Sequence, residues 1–147
     1  MFVEENKIKD KLRKMLRDRP ETKYAGVLIK SLDTNKVLLI LRSEICSNPF
    51  KWALCSGGID DSEDTLEGLK REVTEELSID PNIIDFKYIM TEDEEGFDFH
   101  YYQGFVKSEF TPTLNEENLE YKWCDKTNLP SPLYDGLYQK IENILKD

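Results

Sequence analysis

The sequence contains few cysteines, and their number and spacing argue against a structural role. Cys46, Cys55 and Cys124 are odd in number and lack the close spacing of metal ligands, so neither a disulfide framework nor a zinc site is predicted. The N-terminus also lacks the continuous apolar segment that a signal peptide or a membrane-spanning helix requires. These absences predict reduced thiols, a cytoplasmic location and no membrane partner.

Positive charge is also scarce. The 147 residues include 20 Lys and Arg against 30 Asp and Glu, which gives a formal net charge of -10 at pH 7. Nonspecific binding to nucleic acid requires a basic surface, so we do not expect it. If the ligand is a polyphosphate, something other than the overall composition must supply positive charge.

The length predicts one compact domain, and the spacing of apolar residues near the N-terminus predicts a helical extension before it. A chain of 147 residues with 39% hydrophobic composition can bury one sizeable core but is too short for two ordinary domains. Apolar residues at helical spacing predict an amphipathic helix from Glu4 to Asp18. We therefore divide the chain into a helical extension, residues 1–20, and a domain, residues 21–147. The apolar stripe of the extension would pack on the domain or on a second subunit, so a homodimer stays open.

Strands and helices are interspersed along the rest of the chain. Apolar, β-branched and aromatic runs predict strands at residues 24–29, 37–41, 52–54, 83–90, 97–106 and 120–124. A helix is predicted between Asp64 and Pro81, and a closing helix over residues 133–145. Residues 56–58 are predicted to form a glycine loop, and the acidic run 91–96 a surface loop. This mixed order predicts an α/β fold.

The helix after Asp64 has one apolar side and one acidic side. Asp64 is the predicted N-cap, with Glu67 as its capping-box partner. The apolar stripe consists of Leu66, Leu69, Val73 and Leu77. On the adjoining side, helical spacing brings together three carboxylates, those of Glu72, Glu75 and Glu76. Because like charges at this spacing repel, a cation is expected there, and hard oxygen ligands suit Mg2+ or Mn2+.

The same helix lies within a recognisable motif. The segment GGIDDSEDTLEGLKREVTEELSI, residues 57–79, resembles the Nudix box, G-x5-E-x7-R-E-U-x-E-E-x-G-U, in which U is an aliphatic residue. The matching positions are Gly57, Glu63, Arg71, Glu72, Val73, Glu75, Glu76 and Ile79. Two features depart from the family pattern: Ser78 replaces the glycine near the end, and the Gly57–Gly58 pair lies one residue closer to Glu63 than in many members.

The resemblance implies both a fold and an activity. The fold would be the Nudix-type α/β/α sandwich with a mixed sheet, here with an extra N-terminal helix. The activity would be that of a pyrophosphohydrolase, which uses metal to cleave a phosphoanhydride bond in a nucleoside diphosphate linked to another group. The partner would thus be a nucleotide-like small molecule. Nucleoside triphosphates, dinucleoside polyphosphates, ADP-ribose and nucleotide sugars all stay open as substrates.

The resemblance also implies a metal site. Mg2+ or Mn2+ would be the cofactor, held by Glu72, Glu75 and Glu76. A carbonyl oxygen of Gly57 or Gly58 would face the metal and the substrate, and Gly57 is the one that we include among the metal ligands.

Further residues complete the predicted site. Arg71 is interpreted as a structural partner that orients carboxylates, with Glu63 as one candidate, and we include both in the catalytic set. Arg42, at the end of a predicted strand, is either a contact to substrate phosphate or a solvated surface arginine. The attacking water needs a base. This base would be a glutamate of the box or one outside it, and the outside candidates are Glu92, Glu94, Glu95 and Glu120.

Two other functions are compatible with a Nudix-like chain. A regulator that binds a nucleotide without cleaving it would be expected to lose one or more carboxylates, but Glu72, Glu75 and Glu76 are all present. An isopentenyl diphosphate isomerase would need a reactive cysteine in its own motif, and Cys55 lacks that context. Both therefore rank below the hydrolase.

Overall fold

The computed structural model describes residues 22–146, so the helix predicted from Glu4 to Asp18 lies outside the described residues. The described strands are β1 (Thr22–Ser31), β2 (Val37–Arg42), β3 (Trp52–Ala53), β4 (Cys55–Ile59), β5 (Asp85–Glu94), β6 (Phe97–Val106) and β7 (Asn118–Cys124). The helices are α1 (Thr65–Leu77) and α2 (Leu137–Ile144), with a 3-10 turn at Pro81–Ile83. None of the helices in the described part of the chain is long and apolar enough to cross a membrane.

The strands form one mixed sheet around β1. Five strands follow the order β3-β2-β1-β6-β5, while β4 pairs with β1 and β7 pairs with β2. The pairing of β1 with β6 is parallel, whereas β2 and β4 are antiparallel to β1. The predicted α/β architecture with a mixed sheet is confirmed.

The two faces of the sheet are covered by different helices. One core cluster lies on the face that α1 covers, and it includes Ala25, Val27, Ile29, Ile40, Leu69, Val73 and Leu77. A second cluster lies on the face that α2 covers, and it includes Leu28, Leu39, Leu137, Ile141 and Ile144. We call these the α1 face and the α2 face. Because β1 is buried on both faces, its sequence is a nearly continuous apolar run.

One segment predicted as a loop is a strand, and so is most of a second one. Gly57 and Gly58 belong to β4 and pair with Ala25 and Tyr24 of β1, so this pairing extends through the glycines. The first four residues of the acidic run, 91–94, belong to β5 and pair with β6, while Glu95 and Gly96 form the turn of the predicted loop. The sequence suggested loops because glycine and acidic residues are unfavourable in strands. On β5 the charges are tolerated because this strand is an edge of the sheet, where most of them are exposed.

The helix boundaries follow from their caps. Asp64 caps α1 as predicted, and its Oδ1 accepts a hydrogen bond of 2.8 Å from the backbone N–H of Glu67. The helix ends at Ser78, which has a left-handed conformation with φ 54 and ψ 43. The closing helix was predicted to start at residue 133 but starts at Leu137. Leu133 instead forms an isolated β-bridge with Trp52, whose N–H donates to the carbonyl of Pro132 at 2.9 Å, and a turn follows at residues 135–136.

Candidate active site

The guanidinium of Arg71 lies at the centre of the candidate site. It donates two hydrogen bonds to Glu63, from Nε to Oε2 at 2.8 Å and from Nη2 to Oε1 at 3.0 Å. Nη1 donates to Oε1 of Glu72 at 3.0 Å and to both carboxylate oxygens of Glu75 at 3.3 Å. Nη2 also donates to the carbonyl of Gly58 at 2.9 Å. We call Arg71, Glu63, Glu72 and Glu75 the Arg71 cluster.

Arg71 and Glu63 form an ion pair within this cluster. The contact predicted between the two side chains is present, and it is bidentate, the geometry that a planar guanidinium offers to a carboxylate. The hydrogen bonds from Arg71 lower the pKa of Glu63 below its usual range. The same carboxylate raises the pKa of Arg71, with Glu72 also contributing. Arg71 is therefore held in place as a cation.

Glu72 is buried against Gly57. Its exposed fraction is only 6%, although it is a carboxylate. A Cβ atom built on Gly57 would overlap the Glu72 carboxyl group, so this group fits only because residue 57 has no side chain. Because Gly57 is paired with Ala25 of β1, the sheet fixes the strand against which Glu72 packs. The first glycine of the motif therefore provides space for Glu72.

Glu76 is buried as well, and Asn118 is one of its hydrogen-bond partners. The exposed fraction of Glu76 is 5% and that of Asn118 is 8%. Nδ2 of Asn118 donates to Oε1 of Glu76 at 3.1 Å, across 42 residues of sequence. Asn118 was not predicted as a site residue, because a single asparagine just before a predicted strand is an ordinary feature.

The buried thiol of Cys55 lies near the carboxylates of Glu72 and Glu76. Burial raises its pKa well above the usual value, and the negative charges of Glu76 and Glu72 raise it further. A thiol with a raised pKa stays protonated and is a poor nucleophile. Cys55 therefore belongs to the core beneath the site, as its place in the α1-face cluster also indicates.

Glu75 differs from its two neighbours in exposure. Its side chain is 44% exposed, compared with 8% for that of Glu72. Among the three glutamates at the end of the motif, Glu75 is therefore the accessible one, while Glu72 and Glu76 are buried. A molecule approaching from solvent meets Glu75 first.

The remaining candidates lie apart from this group. The Nε of Arg42 donates to the carbonyl of Ser47 at 2.9 Å, and its guanidinium lies 5.5 Å from the ring centroid of Tyr134. Glu92 forms an ion pair with Lys140 of α2, so it lies on the α2 face. The two other acidic candidates near the β5–β6 turn are exposed, namely Glu94 and Glu95.

Glu120 is also exposed, and its strand position places it away from the Arg71 cluster. It pairs with Leu41 of β2. Leu39 packs on the α2 face, and Leu41 shares its side of the strand because side chains alternate. Glu120 therefore lies on the α2 face, opposite α1 and its carboxylates.

The donor set suits a divalent metal ion, although its members are not arranged as a closed cage. In residues 22–146, no group of three His, Cys, Asp or Glu side chains converges as a complete metal site. Arg71 instead lies among Glu63, Glu72 and Glu75 and supplies one positive charge to three carboxylates. When these carboxylates are ionised, negative charge remains in excess, and Glu76 adds to it. Such hard, partly buried oxygen donors fit Mg2+ or Mn2+.

Several solved structures share this fold. The NUDIX domain of NrtR from Shewanella oneidensis, solved with ADP ribose, has a TM-score of 0.70 at 20% identity over 85% of this chain and 86% of that one. A MutT NUDIX hydrolase from Burkholderia pseudomallei has a TM-score of 0.68 at 21% identity over 86% and 98%. The C. elegans Ap4A hydrolase, solved as a binary complex, has a TM-score of 0.58 at 23% identity over 72% and 81%.

The sequence comparisons agree with the fold. No curated protein sequence matches the chain. A family model described as NUDIX domain matches residues 21–145, which include β1, the whole of α1 and the Arg71 cluster. Because this match covers most of the chain, the protein belongs to the NUDIX domain family.

Proposed function

We propose that this protein uses a divalent metal ion to hydrolyse a phosphoanhydride bond in a nucleoside diphosphate linked to another group. One observation carries the proposal: Arg71 holds Glu63, Glu72 and Glu75 in a single hydrogen-bonded group beside Gly58. These are the positions at which the sequence matches the catalytic motif of the family.

The proposed metal ligands are Glu72, Glu75 and Glu76, with the carbonyl oxygen of Gly57 as an additional ligand. When bound, the metal would neutralise charge on the substrate phosphates and lower the pKa of a bound water. The buried positions of Glu72 and Glu76 support the assignment, because a buried carboxylate is stabilised by a nearby cation. The exposure of Glu75 supports a location next to the substrate.

Arg71 and Glu63 are proposed to orient these metal ligands. Arg71 orients Glu72 and Glu75 through Nη1, while Glu63 fixes the guanidinium from its other side. The base that removes a proton from the attacking water is proposed to belong to the box, because Glu92 and Glu120 lie on the α2 face.

Two of the structural neighbours suggest the substrate class. One was solved with ADP ribose and another is an Ap4A hydrolase. Both compounds contain a nucleoside diphosphate linked to a further group, which is the common element in our proposal. The pronounced negative charge of this chain also favours a metal-neutralised small molecule over a long polyanion.

A substrate panel would test the proposal directly. The purified protein would be incubated with ADP-ribose, Ap4A, nucleoside triphosphates and nucleotide sugars, each with Mg2+, Mn2+ or excess chelator, and products would be separated by chromatography. We expect release of a nucleoside phosphate from at least one compound, dependent on metal and lost in Glu72→Gln. Tight nucleotide binding in calorimetry without turnover of any compound would instead indicate a binding protein.

A further inference from the structure

The structure assigns a positioning residue outside the Nudix box: we propose that Asn118 holds Glu76 in the orientation required to bind the metal ion. This inference rests on the proposed function, since it presupposes that Glu76 is a metal ligand. It adds a residue from β7, a strand that contributes nothing to the motif.

The contact between the two residues is buried. Asn118 Nδ2 donates to Glu76 Oε1 at 3.1 Å, and each residue is less than a tenth exposed. A buried amide is unfavourable unless it is hydrogen-bonded, so the burial of Asn118 at this location requires a partner such as the Glu76 carboxylate. The hydrogen bond in turn restricts the rotation of that carboxylate.

A β-bulge brings Asn118 to the correct face of the sheet. Leu41 pairs with Glu120, but Arg42 pairs with Asn118 instead of Leu119, so β7 has one extra residue at this point. The side chain of Asn118 contacts Glu76 of α1, so it lies on the α1 face. With regular pairing, Asn118 would point to the α2 face, away from Glu76. Bulges commonly redirect a side chain in this way.

The segment before Asn118 is anchored through its backbone, chiefly by hydrogen bonds from Ser43. The N–H of Ser43 donates to the carbonyl of Glu117 at 2.9 Å, and its Oγ donates to the carbonyl of Glu116 at 2.9 Å. The N–H of Asn118 donates to the carbonyl of Asn115 at 3.2 Å. Ser43 is itself 2% exposed. Asn118 is therefore presented to Glu76 from a fixed turn.

The chemistry of an amide suits this task. An asparagine N–H orients a carboxylate but carries no charge, so it leaves the full negative charge of Glu76 available to a cation. The contact differs in this respect from that of Arg71 with Glu72 and Glu75, where the donor itself is cationic. Groups that orient a metal ligand typically change metal affinity by about 10- to 100-fold when removed.

The test measures metal binding in the absence of substrate. Mn2+ affinity of the full-length protein would be measured by electron paramagnetic resonance for wild type, Asn118→Ala and Asn118→Ser, with unfolding in chelator as a check on the fold. Asn128→Ala, at an exposed position, is the matched control. We expect Mn2+ affinity to fall on the order of tenfold or more in both Asn118 variants and to stay at the wild-type value in the control.

A double-mutant cycle separates positioning from a general structural effect. In a Glu76→Gln background, Asn118→Ala should cause little further loss of Mn2+ affinity, because the carboxylate that it orients is gone. Unchanged Mn2+ affinity in folded Asn118→Ala and Asn118→Ser would overturn the inference while leaving the proposed function intact. An equal loss in both backgrounds would also overturn it. If wild type does not bind Mn2+ at all, the proposed function fails and the inference fails with it.

Discussion

Gly57 and Glu72 are in close contact, and the carboxyl group of Glu72 occupies the space that a side chain at residue 57 would need. The contact joins the central part of β4 to the acidic side of α1. Residue 57 must therefore be glycine if Glu72 is to keep this position. The reason is steric and does not depend on the backbone flexibility of glycine.

Gly57→Ala should therefore impair the site without unfolding the domain. The new methyl group would displace the Glu72 carboxylate, while alanine is acceptable in a paired strand, so we expect a loss of turnover on the order of tenfold or more. Steady-state kinetics and Mn2+ binding would measure the effect. Gly58→Ala is the neighbouring comparison, because its added Cβ would lie 3.7 Å from Cε1 of Tyr24, an ordinary contact. Equal losses in the two variants would contradict the steric explanation.

The parts of the fold that could be predicted from the sequence are those with local patterns. The strand over residues 97–106 and the cap of α1 at Asp64 are both present in the structure, because β propensity and capping chemistry act within a few residues. By contrast, β4 contains Gly57 and Gly58 and forms only because β1 supplies its hydrogen bonds. That information is not contained in the segment itself.

The same distinction applies to the site. The spacing of the motif placed Glu63, Arg71, Glu72 and Glu75 together, since three of them lie on one helix and the fourth just before it. Asn118 was missed because its approach to Glu76 spans 42 residues and depends on a bulge in β7. No local sequence pattern predicts that register shift.

The ion pair of Glu63 with Arg71 should make stability depend on pH. The pKa of Glu63 is lowered in the folded protein, so its contribution to the free energy of unfolding is complete above the unfolded pKa of about 4.3. It is lost as the pH falls through the lower folded value. Glu63→Gln should therefore be less stable than wild type near neutral pH, and the difference should shrink in acid. Denaturant unfolding in chelator between about pH 3 and 7 would measure this.

A matched variant controls for the removal of one negative charge in that experiment. Glu109→Gln changes an exposed carboxylate outside the Arg71 cluster. If Glu63→Gln and Glu109→Gln lose stability equally at every pH, the ion pair contributes nothing measurable.

Ser78→Gly should stabilise the protein. Ser78 ends α1 with φ 54, a left-handed conformation that is unfavourable for residues with a Cβ but not for glycine. We expect a gain of up to about 1 kcal/mol in the free energy of unfolding, partly offset by greater freedom of the unfolded chain. Ser108→Gly is the control, since Ser108 is exposed and its φ is not positive. Denaturant unfolding that shows the same change for both variants would refute the explanation.

Glu75→Gln is the most direct test of the proposed chemistry. Glutamine preserves the size and helix propensity of the residue, so α1 should remain folded. Removing the charge of the proposed ligand on the accessible side of the cluster should lower kcat on the order of a hundredfold or more, because the metal would no longer be correctly held. Turnover with saturating Mg2+ would be compared with that of Glu67→Gln, which changes an exposed glutamate in the first turn of the same helix.

Stability distinguishes the loss of a metal ligand from damage to the fold. In chelator, Glu75→Gln should melt close to wild type, since it loses both a weak, partly exposed contact with Arg71 and the repulsion from neighbouring carboxylates. The increase in melting temperature on adding Mg2+ should be smaller than in wild type, because less binding free energy is coupled to folding. Wild-type turnover in Glu75→Gln, or an unchanged stabilisation by Mg2+, would show that residue 75 is not a metal ligand. If Glu75→Gln loses the same stability with and without Mg2+, then Glu75 stabilises the helix and does not bind the metal.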